Sequence, residues 1–292
     1  MEPSYSYAMS ILNSHLISGA SIIVTEKSLV EKNFWGIFKQ KKATTFGGVP
    51  FIYDILKKLK FDQFKLPYLR YITQAGGNLN NSSTKDFIEI CKNKKIKLII
   101  MYGQTEASPR MSFLDWKFID KKIGSIGKPI TGGNFLLCDE NNQIFNENDK
   151  EGELVYEGKN VMLGYAENLS DLETKDDNKS MLFTGDLAKK DKDGFYYITG
   201  RKSRFIKIFG KRVSLDEVQN EINLLGVECA CVGGDDHLKI YTSSSYSKDK
   251  LSKYIKENFK INKLNLSIFR VTKIPRSENG KILYPNLESF KT

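Results

Sequence analysis

Between Gly19 and Met101 the chain alternates short apolar runs with amphipathic stretches, and glycines stand where the runs end. That alternation restricts the fold more than any other feature. The runs GASIIV (Gly19 to Val24), Ala43 to Phe46, Tyr68 to Gln74 and KLIIM (Lys97 to Met101) have strand length. Leu29 to Gln40 carries Val30, Phe34, Ile37 and Phe38 at helical spacing. Pro50 is suited to open a helix over Phe51 to Leu59. Ser83 to Asn93 reads as another helix. Strands separated by helices, with glycine turns at the strand ends, predict an α/β fold with a mostly parallel sheet.

The pattern changes further along. From Ile123 to Tyr165, short apolar runs lie between the turns TGGN, DENNQ and NENDKEG without helical periodicity. This predicts an antiparallel β subdomain, shaped as a distorted barrel. DKDG (Asp191 to Gly194) is a hairpin turn between Leu187-Ala188 and Phe195 to Thr199. A boundary is expected near Gly200, dividing the chain into 1–199 and 200–292. Beyond it, strands at Phe205 to Ile208, Cys229 to Val232, Leu238 to Thr242 and Leu266 to Val271, with helices at Ser214 to Leu225 and Lys248 to Phe259, make a small α+β module.

Composition removes several function classes. The 292 residues carry 45 Lys+Arg against 35 Asp+Glu, a net +10. The lysines are scattered among acidic and apolar residues, and no arginine-rich stripe with interleaved aromatics marks a nucleic-acid partner. The excess suits a soluble surface, and secondarily the attraction of anionic nucleotides. With only His15 and His237, a histidine-built zinc site is not expected. Cys229 and Cys231 alternate as on one face of a strand and Cys91 and Cys138 stand alone. Buried free thiols, and a reducing cytoplasmic setting, are therefore expected. No apolar run is long enough for a transmembrane segment.

Four motifs carry chemistry. MYGQTEAS (Met101 to Ser108) follows KLIIM, at a strand end where open α/β sheets bind ligands. Tyr102 offers a ring to stack on a base, Thr105 a hydroxyl for phosphate, and Glu106 a hard oxygen for Mg²⁺. QAGGNLN (Gln74 to Asn80) ends the preceding strand, and Gly76 and Gly77 permit close backbone approach to a planar ligand. In LFTGDL…GRKSRFIKIFGKRV, Asp186 can accept hydrogen bonds from two ribose hydroxyls, and Arg201 can bind ribose or phosphate oxygens through its fork. In KIPRSENGKILY (Lys273 to Tyr284), a SENG turn would present Lys281. Singly, each has an ordinary structural explanation: a polar loop, a tight turn, a surface ion pair, a solvated lysine.

Together, YGQTE, TGD, GRKSRFIKIFGKRV with a following EV, and PRSENGK stand in the order and spacing of the adenylate-forming superfamily, which includes acyl-CoA synthetases, luciferases and the adenylation domains of peptide synthetases. GELVYEGKNVMLGY (Gly152 to Tyr165) resembles the family's β-subdomain segment, and SYSYAMSILNSHLISGASIIV resembles the stretch that helps line its acyl pocket. The resemblance runs from Ser4 to about Tyr284.

It implies ATP-dependent joining of a small carboxylic acid to AMP, followed by transfer to a thiol of coenzyme A or of a carrier protein's phosphopantetheine. It further implies that Tyr102 and Gly103 lie beside adenine, with Gly76, Gly77 and Asn78 along the base. Thr105 would lie near the phosphates, Glu106 would bind magnesium, and Asp186 and Arg201 would hold ribose. Lys281 would bridge the carboxylate and the α-phosphate. Lys207 to Gly210 (KIFG) would line the thiol channel, and Gly210 would leave room for the pantetheine arm. Ser203 stands at the rotation point, where many members carry Asp or Lys.

One departure is larger. The family's Ser/Thr/Gly-rich phosphate loop ending in lysine belongs upstream of this sequence. NNSST (Asn80 to Thr84) lacks its glycines and follows the wrong strand. The expectation is therefore a partial large N-terminal domain followed by a small mobile one. Such a chain would be a truncated member, a split-gene product or a mis-placed start, with exposed apolar surface where an N-terminal half would pack. Beside the catalytic reading stand two others: a remnant that binds AMP or acyl-adenylate without turnover, and an interaction subunit with no nucleotide site.

Overall fold

The structure, a computed structural model, describes residues 4–173, 179–243, 245–277 and 280–287. By its internal contacts the chain divides into two compact units: Met1–Thr184 with Ala188–Ile198, and Gly185–Leu187 with Thr199–Thr292.

The first unit opens with α1 (Ser6–Ile17), α2 (Lys32–Gln40), β1 (Thr45–Gly48), α3 (Pro50–Lys58), β2 (Tyr71–Gln74), α4 (Asn81–Lys94) and β3 (Lys97–Tyr102). Pro50 takes the first helical position of α3, where a missing N–H costs nothing. The Asn80 side chain caps α4 by accepting from the Ser83 N–H at 2.8 Å. β1, β2 and β3 are parallel neighbours, in register Thr45↔Tyr71 and Tyr71↔Lys97. β4 (Ser112–Leu114) and β5 (Lys128–Pro129) continue this sheet antiparallel. Its core is aromatic. Trp35 has the rings of Phe34, Phe38, Phe61 and Phe64 at 4.7 to 6.1 Å, and its Nε1–H donates to the Leu29 carbonyl at 2.7 Å.

The sheet differs from expectation at its start. GASIIV is not a strand: Ile23 is 39% and Val24 90% exposed. An apolar run becomes a strand only beside a neighbour that takes its N–H and C=O groups, and none of the described strands pairs with it. α1, in turn, has no regular apolar period, and only Tyr7 in it is buried. The other elements moved by one to three residues, within the fraying of element ends.

The middle region forms an open five-stranded sheet, β10-β9-β8-β6-β7, from β6 (Gly133–Cys138), β7 (Ile144–Phe145), β8 (Gly152–Gly158), β9 (Met181–Lys190) and β10 (Tyr196–Arg201). Among the described residues it does not close, so the barrel is corrected to a sheet. β5, expected in this subdomain, belongs to the first sheet.

The second unit contains the ribbon β11 (Phe205–Ile208) and β12 (Lys211–Ser214), then α5 (Leu215–Leu224), β13 (Cys229–Gly234), β14 (His237–Thr242), α6 (Lys248–Phe259) and β15 (Leu266–Arg270). β13 and β14 are antiparallel, β14 and β15 parallel. Ser214 and Ser247 cap the two helices. The core is largely aliphatic, with Val218, Ile222, Leu238, Ile240 and Ile255 fully buried beside Cys229 and Cys231. All four cysteines are free and buried. Among the described residues no helix is long and apolar enough to cross a membrane.

Candidate functional site

In the first unit the candidates stand on adjacent loops, because β2 and β3 are parallel neighbours and both end at the same sheet edge. After β2 the chain turns through Gly76 (φ +77). The buried Gln74 amide holds this turn, donating to the carbonyls of Ala75 and Gly77 at 3.2 and 2.8 Å. Gly77 and Asn78 follow it, exposed. At the end of β3, Tyr102 packs edge-on against Phe135 at 6.2 Å. A Cβ at Gly103 would meet Pro109, Arg110 and Met111 at 3.2 to 3.3 Å, so glycine keeps this loop tight. Thr105 and Glu106 then lie on a 3₁₀ turn (Thr105–Ala107).

Three successive residues, Tyr5 to Tyr7, reach β2 and the loops that follow β2 and β3. The Tyr5 hydroxyl fills the space beside Gly76, where a Cβ would come within 2.2 Å of it. Ser6 and Thr105 hydroxyls hydrogen-bond at 2.9 Å. The Tyr7 and Thr73 hydroxyls do so at 2.7 Å, and burial pushes the Tyr7 phenol up to about 12. The Glu106 carboxylate accepts a hydrogen bond from Tyr165 at 2.8 Å, which raises the Tyr165 phenol above its ordinary value. The Ser6 and Tyr165 contacts span 99 and 59 residues; no local signal could have revealed them.

Glu106 offers the kind of ligand that hard divalent cations such as magnesium, calcium and manganese take. It supplies one hard carboxylate oxygen, and among the described residues no cluster of three His, Cys, Asp or Glu could build an all-protein cage. Magnesium is commonly held in that way, by one or two carboxylates together with substrate phosphates and water.

In the second unit, Asp186 (β9) is 4% exposed and accepts from Arg201 Nε (β10) at 3.0 Å. The arginine side chain is 62% exposed, so the carboxylate is buried and its cation faces water. Arg204 N–H donates to the Arg201 carbonyl at 2.9 Å, and Ser203 lies exposed in that turn. Lys207 is exposed on β11, its N–H on Asp235 at 3.0 Å. The β11–β12 hairpin turns through Phe209 (φ +50) and Gly210 (φ +75), both left-handed, as a type I′ connection requires. A Cβ at Gly210 would meet nothing within 4 Å, so its backbone angle, rather than crowding within the unit, favours glycine. Lys281 is exposed on a hairpin bridged at Arg276↔Ile282. Of the SENG turn, residues 278–279 lie outside the described residues.

The chain is similar in sequence to the 2-succinylbenzoate–CoA ligase of Bacillus licheniformis, 26% identical over 94% of this chain and 57% of the relative. Among solved structures, the o-succinylbenzoate CoA synthetase of Bacillus subtilis in complex with the acyl-adenylate intermediate superposes with a TM-score of 0.79 at 22% identity, covering 100% of this chain and 60% of that one. The same enzyme in complex with ATP and magnesium ion has a TM-score of 0.78 at 23% identity, covering 99% and 60%. The chain thus spans under two thirds of the length of these relatives. The model of the AMP-binding enzyme family matches residues 1–166, more than half of the sequence, and the chain belongs to that family.

Proposed function

We propose that this chain takes part in activating a small carboxylic acid with ATP and passing the acyl group to a thiol, together with the remaining length that its relatives possess. The observation that carries the reading is the shared sheet edge in the first unit. There the glycine turn after β2 and the Thr105–Glu106 turn after β3 stand side by side, with a carboxylate of the right hardness for magnesium. The relatives' names, CoA ligase and CoA synthetase, support the same chemistry.

In the first step a carboxylate oxygen attacks the α-phosphorus, a C–O–P linkage forms and pyrophosphate leaves. Like charges oppose that attack. Lys281 would neutralise the meeting oxygens, and Thr105 would donate to a phosphate. Glu106 would hold magnesium, which screens phosphate charge. Tyr102, Gly103, Gly76, Gly77 and Asn78 would receive adenine. Asp186 would accept from ribose hydroxyls, while Arg201, already paired to it, adds donors for ribose or phosphate. In the second step the sulfur of coenzyme A or a carrier's phosphopantetheine attacks the acyl carbon, a thioester forms and AMP leaves. Lys207 and Gly210 would face that thiol. Residues 1–199 would act as the AMP-binding domain. Residues 200–292 would act as a mobile domain turning at Ser203.

The test is carboxylate-dependent exchange of labelled pyrophosphate into ATP over a panel of acids, with this chain supplemented by the part of a relative that lies outside the matched span. Lys281→Ala should lower exchange by about 10²-fold or more, while leaving AMP affinity within about threefold. Absence of exchange with every acid, with no effect of Lys281→Ala, would refute the reading. Calorimetric AMP binding without exchange would favour a non-catalytic nucleotide-binding remnant. No AMP binding, or binding indifferent to Asp186→Ala, would favour an interaction subunit.

A further inference from the structure

Arg204, in the second unit, immediately follows Ser203, yet it behaves unlike the exposed Arg201. Its side chain is 12% exposed. Its guanidinium lies 3.8 Å from the ring centroid of Tyr284, and its Nε is paired with Asp216. Nη2 donates to the Cys231 carbonyl at 3.2 Å and to Gln219 Oε1 at 3.4 Å. The same Gln219 oxygen accepts from the Cys231 N–H at 3.0 Å and from the Tyr284 hydroxyl at 3.3 Å. Gln219 is itself buried, on α5. A cation so far withdrawn from water is costly unless every partner stays in place, and a stacked guanidinium in such a site is a strong contact.

Tyr284 stands three residues after Lys281. The Lys281 hairpin is held partly by packing, since Ile274 and Leu287 are buried with Ala230 and Tyr241, and Ile282 and Tyr284 pack against that cluster. Ser277 N–H donates to the Lys281 carbonyl at 2.8 Å, Leu283 N–H to the Pro275 carbonyl at 3.0 Å, and Lys281 N–H to the Ser277 hydroxyl at 3.2 Å. An isolated two-stranded hairpin is marginal in water. One arm is tied down by Arg276, whose guanidinium bridges the Gly280 carbonyl at 2.9 Å and Glu228 at 3.0 Å. The other arm is tied by Tyr284 to Arg204 and Gln219.

We propose that Arg204 and Tyr284 form a clamp that fixes the Lys281 hairpin to the body of the second unit, so that the lysine and the turn at Ser203 move as one piece. This rests on the role assigned above to Lys281. Arg204 and Tyr284 are positioning residues: they act on a flexible lysine whose displacement by about 1 Å is enough to cost roughly 10²-fold in rate. Motion at the turn then reaches Lys281 through side chains rather than through the intervening residues of the chain.

The experiment has two arms. In the full chain, hydrogen exchange of segment 275–287 is followed by mass spectrometry in Tyr284→Ala, Tyr284→Leu and Tyr284→Phe. Loss of the stacked ring should speed exchange of this segment roughly tenfold while α6 stays protected. Tyr284→Phe, which keeps the ring, should change it less than about threefold. Tyr284→Leu refills most of the volume and stands in should the Ala variant unfold. In the supplemented enzyme, Tyr284→Ala should lower the kcat of pyrophosphate exchange roughly tenfold with KM for ATP unchanged. It should add almost nothing to Lys281→Ala, as expected of two residues serving one group. Unchanged hydrogen exchange in both Ala and Leu variants overturns the clamp whatever the activity. A rate loss that multiplies with that of Lys281→Ala overturns it too. If the unsubstituted enzyme shows no adenylation, the catalytic reading falls, while the hydrogen-exchange arm still judges the clamp.

Discussion

The two units hold their candidate residues by different means. In the first, Thr105 and Glu106 follow a strand inside a five-stranded sheet over an aromatic core, and their neighbours Gly76 and Gly103 are places where backbone or side chain fills the room a Cβ would need. In the second, Lys281 and Gly210 sit on short hairpins, the first held by side-chain contacts and the second with open space where a Cβ would stand. A site built from packed backbone is rigid and intolerant of added atoms. A site hung from side-chain contacts tolerates atoms but loosens when a contact is removed.

The glycine pair tests this most strongly. Gly76→Ala imposes a positive φ on alanine, about 1–2 kcal/mol, and drives a Cβ to 2.2 Å from the Tyr5 hydroxyl. We expect the first unit to lose about 2–4 kcal/mol. Both tryptophans of the chain, Trp35 and Trp116, lie in that unit, so their fluorescence during urea unfolding reports it. Adding Tyr5→Phe should return part of the loss, since it removes the crowded atom but leaves the angle. An unshifted midpoint in Gly76→Ala would break the contrast.

Alkaline titration comes next in size. The folded first unit holds the Tyr7 proton to about pH 12, because burial disfavours the phenolate, whereas an unfolded tyrosine releases it near pH 10. The raised value means that this stability is complete below pH 10 and is lost as pH rises from 10 to 12. The loss amounts to about 2–3 kcal/mol at the end of that window. Cys91, also pushed up to about 12 by burial, adds a loss that begins nearer pH 9. Urea midpoints measured across pH 9–12 should fall less steeply above pH 10 in Tyr7→Phe; equal slopes would refute the assignment.

The smallest effect is Gly210→Ala. Its φ of +75 carries the same backbone cost as Gly76, but no neighbour is crowded. We expect about 1–2 kcal/mol, seen as faster amide exchange confined to β11 and β12. A loss as large as that of Gly76→Ala would show that packing in the second unit is tighter than its open hairpin suggests.

Much of this was legible before any coordinates. Pro50 is a local signal, and it opens α3 as its chemistry predicts. The alternation of Cys229 and Cys231 announced a buried strand face. Other elements were illegible for definite reasons. GASIIV has strand composition, but strand formation depends on a partner, and composition does not report partners. α1 was missed because its apolar residues follow no single face. The barrel was over-read, since turn spacing is the same in an open sheet and a closed one.

The order of the motifs, the residue types at Tyr102, Thr105, Glu106, Asp186, Arg201 and Lys281, and the alternation of strand and helix were all determined by the sequence itself, because short-range periodicity and side-chain chemistry are written along the chain. Only the tertiary structure decided that Tyr5, Ser6 and Tyr7 reach Gly76, Thr105 and Thr73, that Tyr165 meets Glu106, and that Arg204 stacks on Tyr284. Those contacts join residues 59 to 99 positions apart in the cases of Ser6, Tyr7 and Tyr165. Nothing in the neighbourhood of either partner encodes them. They arise when whole elements pack, and packing depends on the shape of every face at once.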